Sequence, residues 1–265
     1  MKIAIIGAGN MGGALARGLA HGTLIPTSNI YVSNPSTPKL DALKAEFSDI
    51  ITTTDNCMAV EAADIVVLAV KPWKVEEVLR EITPHMDYAR QAVASMVGGL
   101  DICQLSKWLD NGDGVLPATY LIIPNTAIAT MSSMTFIASA RSTAQQDNAL
   151  LEIFNELGEA MLVDESLIPA GTSLASCGIA YALRYIRAAM EGGVELGFRA
   201  NDAKRIVMQT LRGAADILAA TDAHPEAEID RVTTPGGLTI KGLNAMEAAG
   251  FTHSVIEGLR ASTKR

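Results

Sequence analysis

The chain begins with a short apolar run that leads directly into a cluster of glycines. Residues 2–6 read KIAII, residues 7–12 read GAGNMG, and the alanine- and leucine-rich stretch from Met11 to His21 predicts a helix. The glycines match the pattern G-x-G-x-x-G. That pattern is weak alone, but a strand before it and a helix after it make it typical of an α/β fold that binds a dinucleotide.

Each glycine of this loop has a predicted physical role. Gly7 allows the tight turn after the strand, Gly9 lets a pyrophosphate approach the backbone, and Gly12 lets the helix pack on the strand. The phosphates would lie at the helix N-terminus, where free N–H groups and the helix dipole attract an anion. The alternative is an ordinary glycine-rich turn.

Strand-like and helix-like patterns alternate through residues 1–165. After the first strand, runs suited to strands occur at 29–34, 64–70, 91–97, 118–123 and 133–139, and helical stretches fit at 38–47, 56–62, 74–82, 101–109 and 142–157. Such alternation predicts a parallel sheet with helices on both faces. We expect a Rossmann-type dinucleotide-binding domain over residues 1–165.

The strand signals stop after Glu165. Residues 167–196 form one long helix-compatible stretch with small residues throughout, and further helices are predicted at 201–220, 236–249 and 252–262. We expect an all-α domain over residues 166–265. Because the long stretch is apolar or small on most faces, it must be buried, and a homodimer with interlocked helices would bury it.

The end of the second strand bears on the choice of coenzyme. An NAD site places a carboxylate about 20 residues after the glycines, but this chain has Ser33 and Asn34 there, with Lys39 as a distant positive charge. Their donors suit phosphate oxygens, so NADP (NADPH) is favoured over NAD, which stays possible. A solvated turn without selectivity is the alternative.

Lys71, in the Ala69-Val70-Lys71 run after the central strand, lies where open α/β sheets bind ligands.

A second glycine turn lies in the helical half of the chain. Residues 232–241 read VTTPGGLTIK, with Pro235 suited to a first helical position and Thr234 to its cap. Gly236 and Gly237 would leave N–H groups open to a small anion, which the helix dipole attracts. A plain helix start is the alternative.

Five blocks together resemble the pyrroline-5-carboxylate reductase family, which makes proline with NAD(P)H. They are GAGNMGGA, TTTDNCMAVEAADIVVLAVKP, residues 95–99, residues 124–126 and VTTPGGLTIKGLNAMEAAGF. The resemblance covers residue 1 to about residue 260, and the last block is its specific part. It implies a Rossmann domain and a helical domain that interlocks with a second subunit.

The resemblance also implies roles for individual residues. The substrate carboxylate would be held by Thr234, Gly236, Gly237 and Thr239. Apart from the resemblance, the place of Leu238 between the glycines and Thr239 leads us to expect that its backbone binds while its side chain packs away. Asn10 and Met11 would contact the pyrophosphate, and Asn56 and residues 69–71 the coenzyme. Thr239 is the best candidate for a proton donor. The predicted reaction moves hydride from the nicotinamide to the imine carbon of 1-pyrroline-5-carboxylate.

Some positions depart from the family's usual pattern. Leu121 stands where arginine is frequent, Ala127 where proline is, and Ser133 where glycine is common. The stretch from Ala175 to Tyr181 reads ASCGIAY where the family usually has a sequence like SGSGPAY. These changes bear on the exact imine and on turnover more than on the fold.

Three other functions stay open at this point. One is a reductase of a related cyclic or acyclic imine, and another is a non-catalytic relative that binds NADP. The third is a hydroxyacid dehydrogenase, but that family uses a lysine on its long interdomain helix, and this chain has no lysine between Lys107 and Lys204.

Charge and cysteine content limit the partners. The net charge of −8, without a lysine or arginine run, argues against nucleic acid. Three scattered cysteines indicate neither a disulfide framework nor a zinc site, and a reducing cytoplasm is the simplest location. The polar residues in the long apolar stretch argue against a membrane span. We therefore expect a cytoplasmic homodimer without a metal, with larger rings of dimers possible.

Overall fold

The structure is a computed structural model that describes residues 1–263 of the chain. The chain divides into two compact units, residues 1–176 and 177–265. The first unit contains a sheet of strands β1 (Ile3–Ile6), β2 (Ile30–Ser33), β3 (Ile51–Thr53), β4 (Ile65–Leu68), β5 (Ala92–Ser95), β6 (Ala118–Ile123), β7 (Ser133–Ala140) and β8 (Gly158–Leu162). Its helices are α1 (Asn10–His21), α2 (Thr37–Glu46), α3 (Asn56–Ala62), α4 (Val75–Ile82), α5 (Ile102–Leu109), α6 (Ala144–Glu156) and α7 (Ile168–Gly171).

The sheet has the strand order 3-2-1-4-5-6-7-8, and β1 to β6 are all parallel. Because β1 lies between β2 and β4, the chain order reverses at β1. Helices cover both faces of the sheet. Alternate residues of β1 enter opposite cores, since Ile3 and Ile5 pack with one cluster and Ala4 and Ile6 with the other. The predicted α/β fold of Rossmann type is confirmed.

The last part of the sheet differs from the prediction of parallel strands throughout. Strand β7 pairs antiparallel with β6, and β8 is parallel to β7. Only residues 124–132 connect β6 to β7, which is too short for a crossover between parallel strands. Two short strands, β3 with three residues and β8 with five, were not predicted. They are partly exposed, and β8 reads GEAML, a sequence of low strand propensity.

The second unit is all-helical. It contains α8 (Gly178–Glu195), α9 (Ala200–Thr221), α10 (Pro225–Arg231), α11 (Leu238–Ala248) and α12 (Phe251–Ala261). Within the described chain, Ala203 is the only residue of these five helices that is fully buried. Large apolar side chains such as Leu183, Val194 and Phe198 are about half exposed.

The predicted long helix is interrupted near its start. A π-helical turn, Thr172–Cys177, separates α7 from α8. Ile168 packs in the core of the first unit, and a side chain at Gly171 would meet the ring of Phe136. For this reason residues 166–176 group with the sheet, although the strand signals end at Glu165. The assignment of residues 1–165 and 166–265 as the two domains stays a prediction.

Among residues 1–263, one helical stretch, residues 165–195, is long and apolar enough to cross a membrane by length and composition. A single such helix is weak evidence, since the core helix of a protein that does not span a membrane passes the same criterion.

Candidate coenzyme site and carboxylate loop

A cavity of about 750 Å³ opens at the carboxyl ends of the central strands. This edge, where the chain order reverses, is where open α/β sheets bind ligands. The cavity brings together nine of the eleven residues predicted to bind the coenzyme: Gly7, Gly9, Asn10, Met11, Asn34, Asn56, Ala69, Val70 and Lys71. Gly12 and Ser33, the other two, are buried behind its wall.

The glycine loop has the geometry that its sequence predicts. Gly7 has a φ of 108°, and a side chain there would lie 2.7 Å from the carbonyl oxygen of Ala69. A side chain at Gly12 would overlap the carbonyl oxygen of Gly7, which is why this position holds glycine. By contrast, nothing lies within 4 Å of the position that a side chain at Gly9 would take. Gly9 therefore offers open backbone to a ligand.

Helix α1 leaves its N-terminus free for an anion. Its N-cap is Gly9, which makes no side-chain capping bond, and its first turn contains no acidic residue. The N–H groups of a first helical turn lack intrahelical partners, and the dipole makes this end positive. The loop and helix thus fit a pyrophosphate.

The end of β2 is built differently from the prediction. The Ser33 side chain is fully buried, and its hydroxyl donates to Oδ1 of Asn56 at 2.7 Å. The Asn34 amide accepts from the Ala8 N–H at 3.1 Å and donates to the Ser36 carbonyl at 2.9 Å. Ser33 and Asn34 therefore hold Asn56 and the glycine loop in place, and Ser33 does not present its hydroxyl to the cavity. The sequence pattern missed this because it does not show which way a strand-end side chain points.

Asn56 connects the end of β2 to helix α4. Asp55 caps α3 by accepting from the N–H groups of Cys57 and Met58, so Asn56 starts the helix at the cavity wall. The Asn56 amide accepts from Ser33 and donates from Nδ2 to Oε2 of Glu81 at 2.9 Å. These two bonds fix the orientation of the amide.

Charged side chains of both signs line the same cavity. Lys39, Lys71 and Lys74 supply positive charge, and Glu77 and Glu81 supply negative charge. Lys74 pairs with Glu77 at 2.8 Å, whereas Lys39 and Lys71 form no ion pair within residues 1–263. The two unpaired lysines make this edge of the sheet attractive to phosphate.

Several lining residues were not among the predicted site residues. They are Ile6, Pro35, Lys39, Thr54, Pro72, Lys74, Glu77, Val78, Glu81 and the run Met96–Val97–Gly98. The run follows β5 as residues 69–71 follow β4, so the rule that ligands bind at strand carboxyl ends would have found it. Glu77 and Glu81 are one helical turn apart on α4, and only the packing of α4 brings them to the cavity.

The second glycine turn belongs to the helical unit. Helix α11 begins at Leu238 with Gly237 as its N-cap, so the prediction that Thr234 caps the helix and Pro235 starts it is wrong. The Gly237 N–H instead donates to the Thr234 carbonyl at 2.9 Å, closing a turn in which Gly236 has a φ of 72°. A side chain at Gly237 would lie 2.5 Å from the Thr234 hydroxyl oxygen. The two glycines are thus needed for the turn itself.

The start of α11 is free of competing groups. Gly237 makes no side-chain cap and the first turn has no acidic residue, so the N–H groups of Leu238 and Thr239 are open to an anion. Leu238 is 86% exposed in the single chain, so nothing within this chain covers it, and the expectation that its side chain packs away stays a prediction. The roles of Thr234, Gly236, Gly237, Leu238 and Thr239 in substrate binding stay predictions.

The positions that depart from the family pattern can each be located in the structure. Leu121 is a core residue of β6. The Ala127 N–H donates to Oδ1 of Asn125 at 3.0 Å, a bond that proline could not make. The Ser133 hydroxyl accepts from the Asn125 N–H at 3.1 Å. The stretch from Ala175 to Tyr181 spans the end of the π-helical turn and the start of α8.

Two family models match the chain in separate regions. The model for pyrroline-5-carboxylate reductase dimerisation matches residues 165–265, and the model for NADP oxidoreductase, coenzyme F420-dependent, matches residues 2–99. The first match accounts for the many exposed apolar side chains of the helical unit, since a dimerisation domain buries such surface against a second copy.

Relatives resemble the chain over its full length. Pyrroline-5-carboxylate reductase 2 of Dictyostelium discoideum is 37% identical, and the match covers 100% of this chain and 91% of that protein. Pyrroline-5-carboxylate reductase 1 of the same organism is also 37% identical over 99% of this chain, but the chain spans only 49% of that protein's length. The enzyme of Methanosarcina acetivorans is 32% identical over 100% of this chain and 96% of its own.

Solved structures show the same fold. The pyrroline carboxylate reductase of Plasmodium falciparum, crystallised with NADP bound, superposes with a TM-score of 0.88 at 25% identity, covering 99% of this chain and 95% of that chain. The pyrroline-5-carboxylate reductase of Coxiella burnetii superposes with a TM-score of 0.87 at 28% identity, covering 99% and 96%. With the glycine-loop cavity and the dimerisation domain, these matches show that the chain belongs to the pyrroline-5-carboxylate reductase family.

Proposed function

We propose that this protein reduces 1-pyrroline-5-carboxylate to L-proline with NAD(P)H, as an oxidoreductase that acts on a C=N bond. The observation that carries the proposal is the cavity at the strand carboxyl ends, in a chain whose full-length relatives are pyrroline-5-carboxylate reductases. Its volume of about 750 Å³ lies in the usual range for ligand sites.

The coenzyme fits the residues that line this cavity. The α1 N-terminus and the open backbone of Gly9 would hold the pyrophosphate, and Lys71 would supply positive charge at the end of β4. When bound, the coenzyme would supply the hydride for the imine carbon. A protonated imine is already electrophilic, so the protein contributes mainly orientation.

The carboxylate of the substrate would bind at the start of α11. The open N–H groups of Leu238 and Thr239, together with the helix dipole, suit a single small anion. The hydroxyls of Thr234 and Thr239 can donate to carboxylate oxygens. If the imine arrives unprotonated, its nitrogen needs one proton, and we assign that donation to the Thr239 hydroxyl.

We propose NADPH as the preferred coenzyme, with NADH also used. No Asp or Glu occurs from Ser33 to Leu40, so no carboxylate at the end of β2 opposes a 2′-phosphate or bonds a 2′-hydroxyl. Lys39 lies at the cavity with no ion-pair partner in the described chain. A clear advantage of NADH in kcat/KM would contradict this assignment.

We propose that the protein works as a homodimer in the cytoplasm. The helical unit matches a dimerisation domain and exposes Leu183, Leu196 and Ile206, surface that a second copy would cover. Rings of dimers and the absence of nucleic-acid and membrane partners are further expectations, to be checked by light scattering and by binding assays. The three cysteines are free, which suits a reducing compartment.

The direct test of the activity is consumption of NADPH with 1-pyrroline-5-carboxylate and detection of L-proline as product. Coenzyme binding without turnover would instead indicate a non-catalytic relative.

A matched pair of substitutions tests the carboxylate loop. Thr239 and Thr252 are each the second residue of an eleven-residue helix that follows a glycine N-cap. We expect Thr239→Ala to lower kcat/KM for the imine by about tenfold or more, since a hydrogen bond to a charged group contributes roughly 1.5–3 kcal/mol. The Kd for NADPH should stay near that of the wild type.

Thr252→Ala serves as the control, because its hydroxyl bonds Glu247 and has no assigned role at the substrate. Equal turnover of wild type and Thr239→Ala would remove Thr239 from the proposed mechanism.

A further inference from the structure

The ribose of the adenosine half is expected beside the end of β2. In open α/β sheets that bind dinucleotides, the residue at this point contacts the 2′ position of the ribose. Here Ser33 lies at the strand end, and its hydroxyl donates a hydrogen bond to Asn56, which lines the cavity. The 2′ position is therefore expected near the Asn56 amide.

Glu81 contacts this amide from the opposite side. Its Oε2 accepts from Nδ2 of Asn56 at 2.9 Å, and its side chain also lines the cavity. Because Oδ1 of Asn56 is held by Ser33, the amide cannot rotate without breaking both bonds. The Glu81 carboxylate is thus held next to the Asn56 amide, beside which the 2′ position is expected, although Glu81 lies on α4 and not on β2.

Glu81 has no ion-pair partner among the described residues. Two carboxylates line the cavity, and Glu77 pairs with Lys74 at 2.8 Å. Glu81 forms no ion pair within residues 1–263, and Asn56 offers it only a neutral donor. A doubly charged phosphate bound near Asn56 would therefore meet an uncompensated like charge, whereas a 2′-hydroxyl would not.

We infer that Glu81 is a specificity-determining residue that limits the preference for NADPH over NADH. The inference rests on the proposed use of both coenzymes. Repulsion from Glu81 weakens binding of the 2′-phosphate, while Lys39 and the absence of a carboxylate on β2 favour it. The net preference for NADPH is smaller than the end of β2 alone predicts.

The test measures the Kd of NADPH and of NADH by calorimetry on the full-length chain, as wild type and as Glu81→Gln. The glutamine keeps an oxygen that accepts from Asn56 but removes the charge. At low salt we expect the Kd for NADPH to fall about threefold to fivefold and the Kd for NADH to stay unchanged, since solvent-exposed charges interact only weakly. The difference should shrink at roughly 0.5 M salt, where charges are screened within a few ångströms.

Glu76→Gln is the matched control. Glu76 lies on the same helix and carries the same charge, but it pairs with Arg80 and does not line the cavity. We expect it to change neither Kd. A Glu81→Gln variant that binds NADPH as the wild type does would overturn the inference.

Two further outcomes have distinct meanings. A rise in the Kd for NADH with no change for NADPH would also overturn the inference, since Glu81 would then be bonding the ribose hydroxyl. If the wild type bound neither coenzyme, the proposed function would fail and the inference with it.

Discussion

The glycine loop has two predicted roles, packing within the fold and contact with a ligand. Single substitutions of glycine by alanine, each of which adds one methyl group, can separate them. At Gly12 the methyl would overlap the Gly7 carbonyl oxygen and lie 2.9 Å from Cβ of Ala69, so helix α1 would have to move away from the loop. At Gly9 the methyl would meet no protein atom within 4 Å. The first change alters the packing of the protein, and the second obstructs only what binds.

The expected magnitudes differ accordingly. Overpacking of a buried site costs about 1–3 kcal/mol, which for a protein of this size lowers Tm by roughly 2–12 °C. We therefore expect Gly12→Ala to lower the Tm of the ligand-free protein and to weaken NADPH binding as well. Gly9 has a φ of −68°, which alanine accepts, so Gly9→Ala should leave the Tm within about 2 °C or raise it slightly.

Coenzyme affinity is the readout that matters for Gly9. A methyl between the backbone and the pyrophosphate should raise the Kd for NADPH by about tenfold or more, equivalent to about 1.4 kcal/mol. Thermal melts and calorimetric titrations of both variants provide the data. Wild-type affinity in Gly9→Ala would refute the close approach of a ligand to this backbone.

Gly13→Ala controls for the general effect of replacing glycine in α1. A side chain there would lie 3.3 Å from Nη1 of Arg17, a flexible side chain that can move, and 3.8 Å from the Ala8 carbonyl oxygen, which is an ordinary contact distance. Alanine also favours a helix over glycine by about 1 kcal/mol. The Tm of this variant should not fall, and a fall equal to that of Gly12→Ala would show that the clash with Gly7 is not the cause.

Two further predictions concern stability and assembly. Burial opposes the charge of Glu156, but hydrogen bonds from the Thr23 N–H and hydroxyl and the Leu24 N–H outweigh that cost and lower its pKa. Stabilisation by this carboxylate is therefore complete above its unfolded-state pKa and is lost as the pH falls through the lower folded-state pKa. In urea titrations Glu156→Gln should lower the free energy of unfolding by about 1 kcal/mol at neutral pH, and the difference should disappear in acid; a difference that persists there would refute the assignment. On α8, Leu183 is 58% exposed, so Leu183→Arg should shift the homodimer towards monomer in light scattering, whereas Glu191→Gln on the same helix should not; a stable Leu183→Arg dimer would place the interface elsewhere.

Local patterns were enough to predict most of the first unit. The Gly7–Gly12 loop, the apolar strand at residues 65–68 and the helices at 56–62 and 75–82 all occur where periodicity and turn residues predict them. The Gly7 conformation and the Gly12 contact follow from covalent geometry at short range, so the loop could be anticipated in detail. The prediction that Thr234 caps the helix was wrong because several residues of this short segment are suited to an N-cap position. Only the backbone conformation of the folded chain places Gly237 there.

By itself, the sequence determined the alternation of strands and helices, the anion-binding glycine loop and the apolar helical half, because each depends on residues close together in the chain. The tertiary structure decided what depends on contacts between distant residues. The short β6–β7 connection reverses β7 in the sheet, Ser33 turns inward to hold Asn56, and the packing of α4 brings Glu81 to the cavity, 25 residues along the chain from the amide it holds. Strand pairing and side-chain direction are settled by burial and hydrogen bonding over the whole unit, and no local pattern contains that information.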